Sequence, residues 1–187
     1  TARTSFACYE EGELPAISIQ LRRPKGLIAA AACRVEIQDD RGGTLTRMEL
    51  RLTTDGTAHA TLPGSHRGSL RPGLYRVKVT LPLQAPFAGA VGATTGFWML
   101  DRALLSGGSA FTAGSDFLRK EGRPYPVTGT TYMASDVHRK FLFEPNPAVW
   151  DRDFASMKRQ GINMVRTGLW TAWSRVMLDP GAVDENV

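Results

Sequence analysis

The sequence predicts a mainly β protein: an immunoglobulin-like β-sandwich over residues 1–105, a linker over 106–116, and a segment of different grammar over 117–187. Two observations predict the sandwich. Short stretches alternate apolar and polar residues at period two, and glycine- or aspartate-rich turn chemistry separates them at near-regular spacing. A third observation sets the remainder apart. Beyond Ser106-Gly107-Gly108-Ser109, a linker composition, the apolar period changes to that of a helix.

Each element follows from its residues. Ala16 to Arg22 alternates with Ile17 and Ile19 facing in, and Arg34 to Gln38 does the same with Val35 and Ile37. Asp39-Asp40-Arg41-Gly42-Gly43 is a turn. From Thr44 to Leu52 the apolar members Leu45, Met48, Leu50 and Leu52 slip phase once, which predicts a β-bulge. Thr54-Asp55-Gly56 closes a hairpin into Ala58–Leu62. Pro72-Gly73 turns into a strand that sets Tyr75, Val77 and Val79 against Leu74, Arg76, Lys78 and Thr80. Gln84 to Gly96, rich in alanine and glycine, is expected to be a loop or irregular edge, with a last strand over Thr95–Leu100.

In the second part, Phe117 to Val127 predicts a hairpin turning at Glu121-Gly122, and Thr128 to Met133 a buried strand. Asn146 and Pro147 suit the N-cap and first position of a helix. Asp151 and Asp153 lie near its first turns, and Trp150, Phe154 and Met157 share one face. Gly161 is the expected stop. Ile162 to Arg166 is a short strand.

The chain has 187 residues, 42% hydrophobic and 22% charged, a composition with room for one or two domains. No apolar run approaches the roughly 20 residues that span a bilayer, so no membrane partner is expected. No basic region precedes an apolar stretch near Thr1, so no signal peptide is expected within these residues. The formal charge is +5 and the pI near 9.6. The cations are scattered, and Glu10, Glu11, Glu13, Asp39 and Asp40 dilute the densest group, Arg22, Arg23 and Lys25. A nucleic-acid face needs clustered cations with interleaved aromatics, so no nucleic-acid partner is expected. Cys8 and Cys33 match no zinc or redox spacing. They are either small buried hydrophobes or a bridge between neighbouring segments.

Two stretches carry a family resemblance. Phe117-Leu118-Arg119-Lys120-Glu121-Gly122-Arg123-Pro124, continuing to Gly129, resembles the hairpin that opens the catalytic barrel of retaining glycosidases of the large TIM-barrel clan, which includes β-galactosidase-, β-mannosidase- and endoglucanase-like families. Trp150 to Arg166 resembles the first barrel helix and second strand of that clan, with its pattern M-K-x-x-G-x-N-x-V-R running from Met157 to Arg166. The resemblance covers about residues 111–178. It implies that 117–187 begins a (β/α)8 barrel and that the parent protein cleaves a β-linked sugar, its carbohydrate substrate. It also implies that Arg166 stands at the carboxyl end of a barrel strand, where such active sites lie, and supports the nucleophile. A guanidinium suits that task, being always charged and able to grip a carboxylate bidentately.

The departure from the pattern is equally specific. Retaining glycosidases need two carboxylates about 5 Å apart, which in the clan follow the fourth and seventh strands. Asp136, Glu144, Asp151, Asp153, Asp179, Asp184 and Glu185 match neither position. A closed barrel takes about 200–250 residues, so the expectation is a truncated barrel with no catalytic residue in this chain. Strand edges left unpaired by truncation predict self-association.

The candidate substrate-binding residues are Arg166, Tyr132 and Trp170, the two aromatics because ring faces stack on sugar C–H faces; each is also an ordinary core residue type. Trp173 is a weaker candidate of the same kind. His138, beside Asp136 and Arg139, is either a substrate contact or part of a solvated loop. Trp150 belongs to the core by its helical spacing, and Asn163 reads as a structural hydrogen-bonding residue. No metal spacing, phosphate-binding glycine loop or Ser–His–Asp set appears, and no cofactor is implied. Two other readings stand beside the glycosidase: a non-catalytic β-sandwich module that binds carbohydrate or braces its neighbours, and a barrel of another chemistry.

Overall fold

The structure, a computed structural model, describes residues 1–21, 32–82, 89–168, 177–179 and 182–183. It is mainly β. The chain divides into two compact units: residues 1–101 with 145–148, and residues 102–144 with 149–187.

In the first unit the strands are β1 (Ala2–Thr4), β2 (Cys8–Tyr9), β3 (Ala16–Gln20), β4 (Ala32–Gln38), β5 (Thr44–Arg51), β6 (Thr57–Thr61), β7 (Gly73–Pro82) and β8 (Ala90–Met99). They form two sheets, β1-β3-β6 and β2-β8-β7-β4-β5. All pairings are antiparallel except β2 on β8. Ile17, Ile19 and Ala58 of the smaller sheet share one core with Val35, Ile37, Val77, Val79, Phe97 and Met99 of the larger. This is a two-layer packing. The inward rows follow the register: Ile37 opposite Val77, Val77 opposite Thr95, Tyr75 opposite Phe97.

The phase slip in β5 is a bulge. Ile37 pairs with Thr46 and Gln38 with Thr44, so Leu45 is the extra residue. The preceding turn is held by Asp39, whose Oδ1 accepts from the backbone N–H of Arg41 at 3.0 Å and of Gly43 at 2.6 Å.

Two expectations for this unit change. The turn at Thr54-Asp55-Gly56 forms, but it closes no hairpin: β6 leaves the sheet of β5 and pairs with β3, Thr57 opposite Gln20 and Thr61 opposite Ala16, so the chain crosses there from the larger sheet to the smaller. Of Gln84 to Gly96, expected to be a loop or irregular edge, residues 84–88 lie outside the described residues and residues 90–94 are strand, continuous with the strand expected from Thr95: β8 pairs with β7 from Ala90 opposite Pro82 to Met99 opposite Gly73. The pairing partner supplies the order that the Ala- and Gly-rich composition does not advertise. Of the two readings of the cysteines, the small buried hydrophobe holds for Cys33 and not for the exposed Cys8, and no bridge joins them. Register sets them apart, Cys8 beside Trp98 and Cys33 beside Leu50, whose carbonyl accepts from the buried thiol at 3.4 Å. Residues 145–148 are counted with this unit, where Asn146 donates from Nδ2 to the carbonyl of Thr94 at 3.0 Å.

The second unit contains α1 (Arg102–Ser106), β9 (Phe111–Ala113), β10 (Leu118–Lys120), β11 (Arg123–Pro124), β12 (Gly129–Thr131), most of α2 (Pro147–Arg159), β13 (Met164–Arg166), β14 (Met177–Asp179) and β15 (Ala182–Val183). The antiparallel hairpin of β10 and β11 turns at Glu121 and Gly122, both at positive φ, and β9 adds a third strand. β12 and β13 pair in parallel across α2. The expectation that 128–133 is a buried strand is corrected. Gly129, Thr130 and Thr131 are exposed and only Tyr132 is buried, because threonine favours the extended backbone without supplying an apolar face. No helix among the described residues is long and apolar enough to cross a membrane.

Candidate functional site

In parallel α/β architecture, ligands are met at the carboxyl ends of the strands, so the ends of β12 and β13 define the region of interest. Their register is Gly129 opposite Met164, Thr130 opposite Val165 and Thr131 opposite Arg166. Two local devices fix it. Asn163 accepts from the Thr128 N–H through Oδ1 at 3.0 Å and donates through Nδ2 to the Pro126 carbonyl at 2.8 Å. Its backbone N–H also donates to the Thr128 carbonyl at 3.0 Å. The other device ends α2. Gly161, at φ 82°, donates to the Lys158 carbonyl while Ile162 donates to that of Met157, the Schellman pattern that turns the chain into β13.

At the carboxyl end, the Tyr132 N–H donates to the Arg166 carbonyl at 2.9 Å and prolongs the ladder. Tyr132 then turns inward. Its ring, 4% exposed, meets Phe141 edge-on at 5.2 Å and Phe154 at 4.7 Å, so it serves the core of the second unit instead of presenting a platform to solvent. Its hydroxyl donates to Asp153 Oδ2 at 3.1 Å. Asp153 also accepts from the Ser135 N–H at 2.9 Å and from the Ser135 hydroxyl at 2.9 Å. Arg152 Nη2 donates to that hydroxyl at 2.8 Å and lies 3.6 Å from Asp153 Oδ1. Tyr132, Ser135, Arg152 and Asp153 thus form one clamp between α2 and the segment leaving β12.

The electrostatics of the clamp favour holding over proton transfer. Burial works to raise the Asp153 carboxyl, but hydrogen bonds from Ser135 and Tyr132, with the Arg152 charge, outweigh it and keep the group below its ordinary value. Burial first, then the charge and hydrogen bond of Asp153, push the Tyr132 phenol well up. At neutral pH the carboxylate stays charged and the phenol stays a donor, so the pair exchanges no proton.

The segment between β12 and α2 is longer than the 2–6 residues usual for such connections. Phe141 is buried against Tyr132 and edge-on to Trp150 at 6.1 Å. Ala134 and His138 exchange backbone hydrogen bonds of 3.2 and 2.9 Å, and His138 is exposed with φ 55°. Non-glycine residues rarely adopt that conformation.

Of the expected site residues, Arg166 lies exposed at the end of β13 and Tyr132 beside it in the ladder but buried. Trp170 and Trp173 lie outside the described residues. Trp150 packs into the core, and Asn163 is a structural hydrogen-bonding residue. The sequence places Asp153 only as a charge near the first turns of α2 and does not single out Ser135; their role in the clamp is visible only in the structure. A signal existed for Asp153: it stands three residues after Trp150 on the flank of the apolar helical stripe, where a carboxylate needs partners. Among the described residues no group of three or more His, Cys, Asp or Glu could hold a metal ion.

No family model matches the chain, and no curated protein does. Among solved structures, a β-glucuronidase of Bifidobacterium dentium in complex with coumarin-3-O-glucuronide aligns over 89% of this chain and 26% of its own, at 14% identity and TM-score 0.36. A Bacteroides uniformis β-glucuronidase aligns over 93% of this chain and 21% of its own, at 18% identity and TM-score 0.37. A β-glycosidase from Bacteroides vulgatus aligns over 90% and 20%, at 11% identity and TM-score 0.38. The chain therefore spans about a fifth to a quarter of these structures.

Proposed function

We propose that this chain is the immunoglobulin-like sandwich and opening β-α-β of a retaining glycoside hydrolase acting on β-linked sugars. On this reading its acid/base and nucleophile carboxylates are carried by other parts of the parent protein. One observation carries the reading: the parallel β12–α2–β13 unit coincides with the stretch whose residues resemble the clan's barrel opening. Arg166 ends β13 and remains the substrate-side candidate, with the role of supporting a carboxylate. Tyr132 supports the site from within, through Asp153. In the parent, further strands cover the exposed apolar side chains Val127, Met133 and Met164; in residues 1–187 alone, a second copy does.

The test compares residues 1–187 with the product of the longer reading frame on a panel of chromogenic β-glycosides. The longer protein is expected to turn over at least one with retention of anomeric configuration, and residues 1–187 none. A longer protein inactive on every β-glycoside would favour the non-catalytic sandwich module. Turnover by residues 1–187, with contaminating enzyme excluded, would refute the placement of the carboxylates.

A further inference from the structure

We draw no further inference here: the strongest candidate, the exposed aromatic and basic face of the β9–β10–β11 ribbon where Lys120 lies over the rings of Phe111 and Tyr125, is an unpartnered surface and nothing in the structure shows what covers it.

Discussion

Replacing Phe97 with alanine removes the ring on which the core of the first unit converges. Phe97 is 0% exposed, stacks on Tyr75 at 5.1 Å with the planes 8° apart, and receives Tyr9 edge-on at 5.7 Å. Truncating a buried phenylalanine costs about 3–5 kcal/mol, as lost transfer free energy plus the cavity left behind. That is a large share of the roughly 5–15 kcal/mol that stabilises a domain. At about 4–8 °C per kcal/mol for a unit of this size, the melting temperature should fall by at least ~12 °C. Phe97→Leu separates the contributions. It keeps most of the buried area and loses the ring geometry, worth about 0.5–1.5 kcal/mol per aromatic pair, so its loss should be clearly smaller. Thermal melts followed by near-ultraviolet circular dichroism, which reads the packing of Tyr9 and Tyr75, give both values. A Phe97→Ala melt within a few degrees of wild type would mean that the two sheets do not share the core assigned to them.

Other substitutions probe other links. Gly96→Ala should destabilise the first unit by about 1–3 kcal/mol in urea titrations, because the new Cβ would stand 2.7 Å from the Tyr75 carbonyl oxygen and 3.2 Å from the Ala148 nitrogen, backbone atoms that yield little. Asp153→Asn keeps one acceptor where the clamp uses two, and should cost about 1–3 kcal/mol, seen as faster hydrogen exchange at the Ser135 amide. The pH dependence has a definite sign. The folded-state value of Asp153 lies below its unfolded one, so its contribution is full above about pH 4 and is lost as pH falls through the folded value. Acid titration of stability should be shallower in Asp153→Asn than in wild type. A thiol reagent should label the exposed Cys8 in the native protein and reach the buried Cys33 only on unfolding; equal labelling of both would contradict the β4–β5 packing.

Much of the fold was legible because its determinants are local. The inward rows of β3, β4 and β7 appear as plain alternation. α2 carries its start and stop in Asn146, Pro147 and Gly161, and the β5 bulge appears as a broken phase. What was not legible depends on partners distant in sequence. The first half of β8 has Val91 as its one large apolar residue, and its pairing with β7 makes it a strand. β1 and β2 are too short to show a period. The separation of Cys8 from Cys33 is a matter of sheet register, on which their spacing is silent. At the candidate site, Arg166 could be placed at a strand end, but the Asp153 clamp depends on Ser135, 18 residues away, and the burial of Tyr132 depends on Phe141 and Phe154 closing around it. Aromatic type alone does not distinguish a sugar platform from a core ring; the neighbours decide.

The paired hydrogen bonds of Asn163 also bear on how the molecule ages. Its side-chain amide is used in both senses, the oxygen toward Thr128 and the nitrogen toward Pro126. Pro126 precedes β12, and the nitrogen satisfies its carbonyl from the residue just before β13. Deamidation would replace that nitrogen with oxygen, but the reaction needs the Met164 nitrogen to attack the side-chain carbonyl, and both the amide and the Met164 N–H are held in hydrogen bonds. Were it to occur, the bond to Thr128 would survive and the one to Pro126 would turn repulsive, a carboxylate facing a carbonyl. A change of one mass unit would thus loosen the amino end of β12 while leaving its carboxyl end, clamped through Asp153, in place. Asn163 is thus protected in the folded chain, and protein that does carry the change should fray first at 126–128.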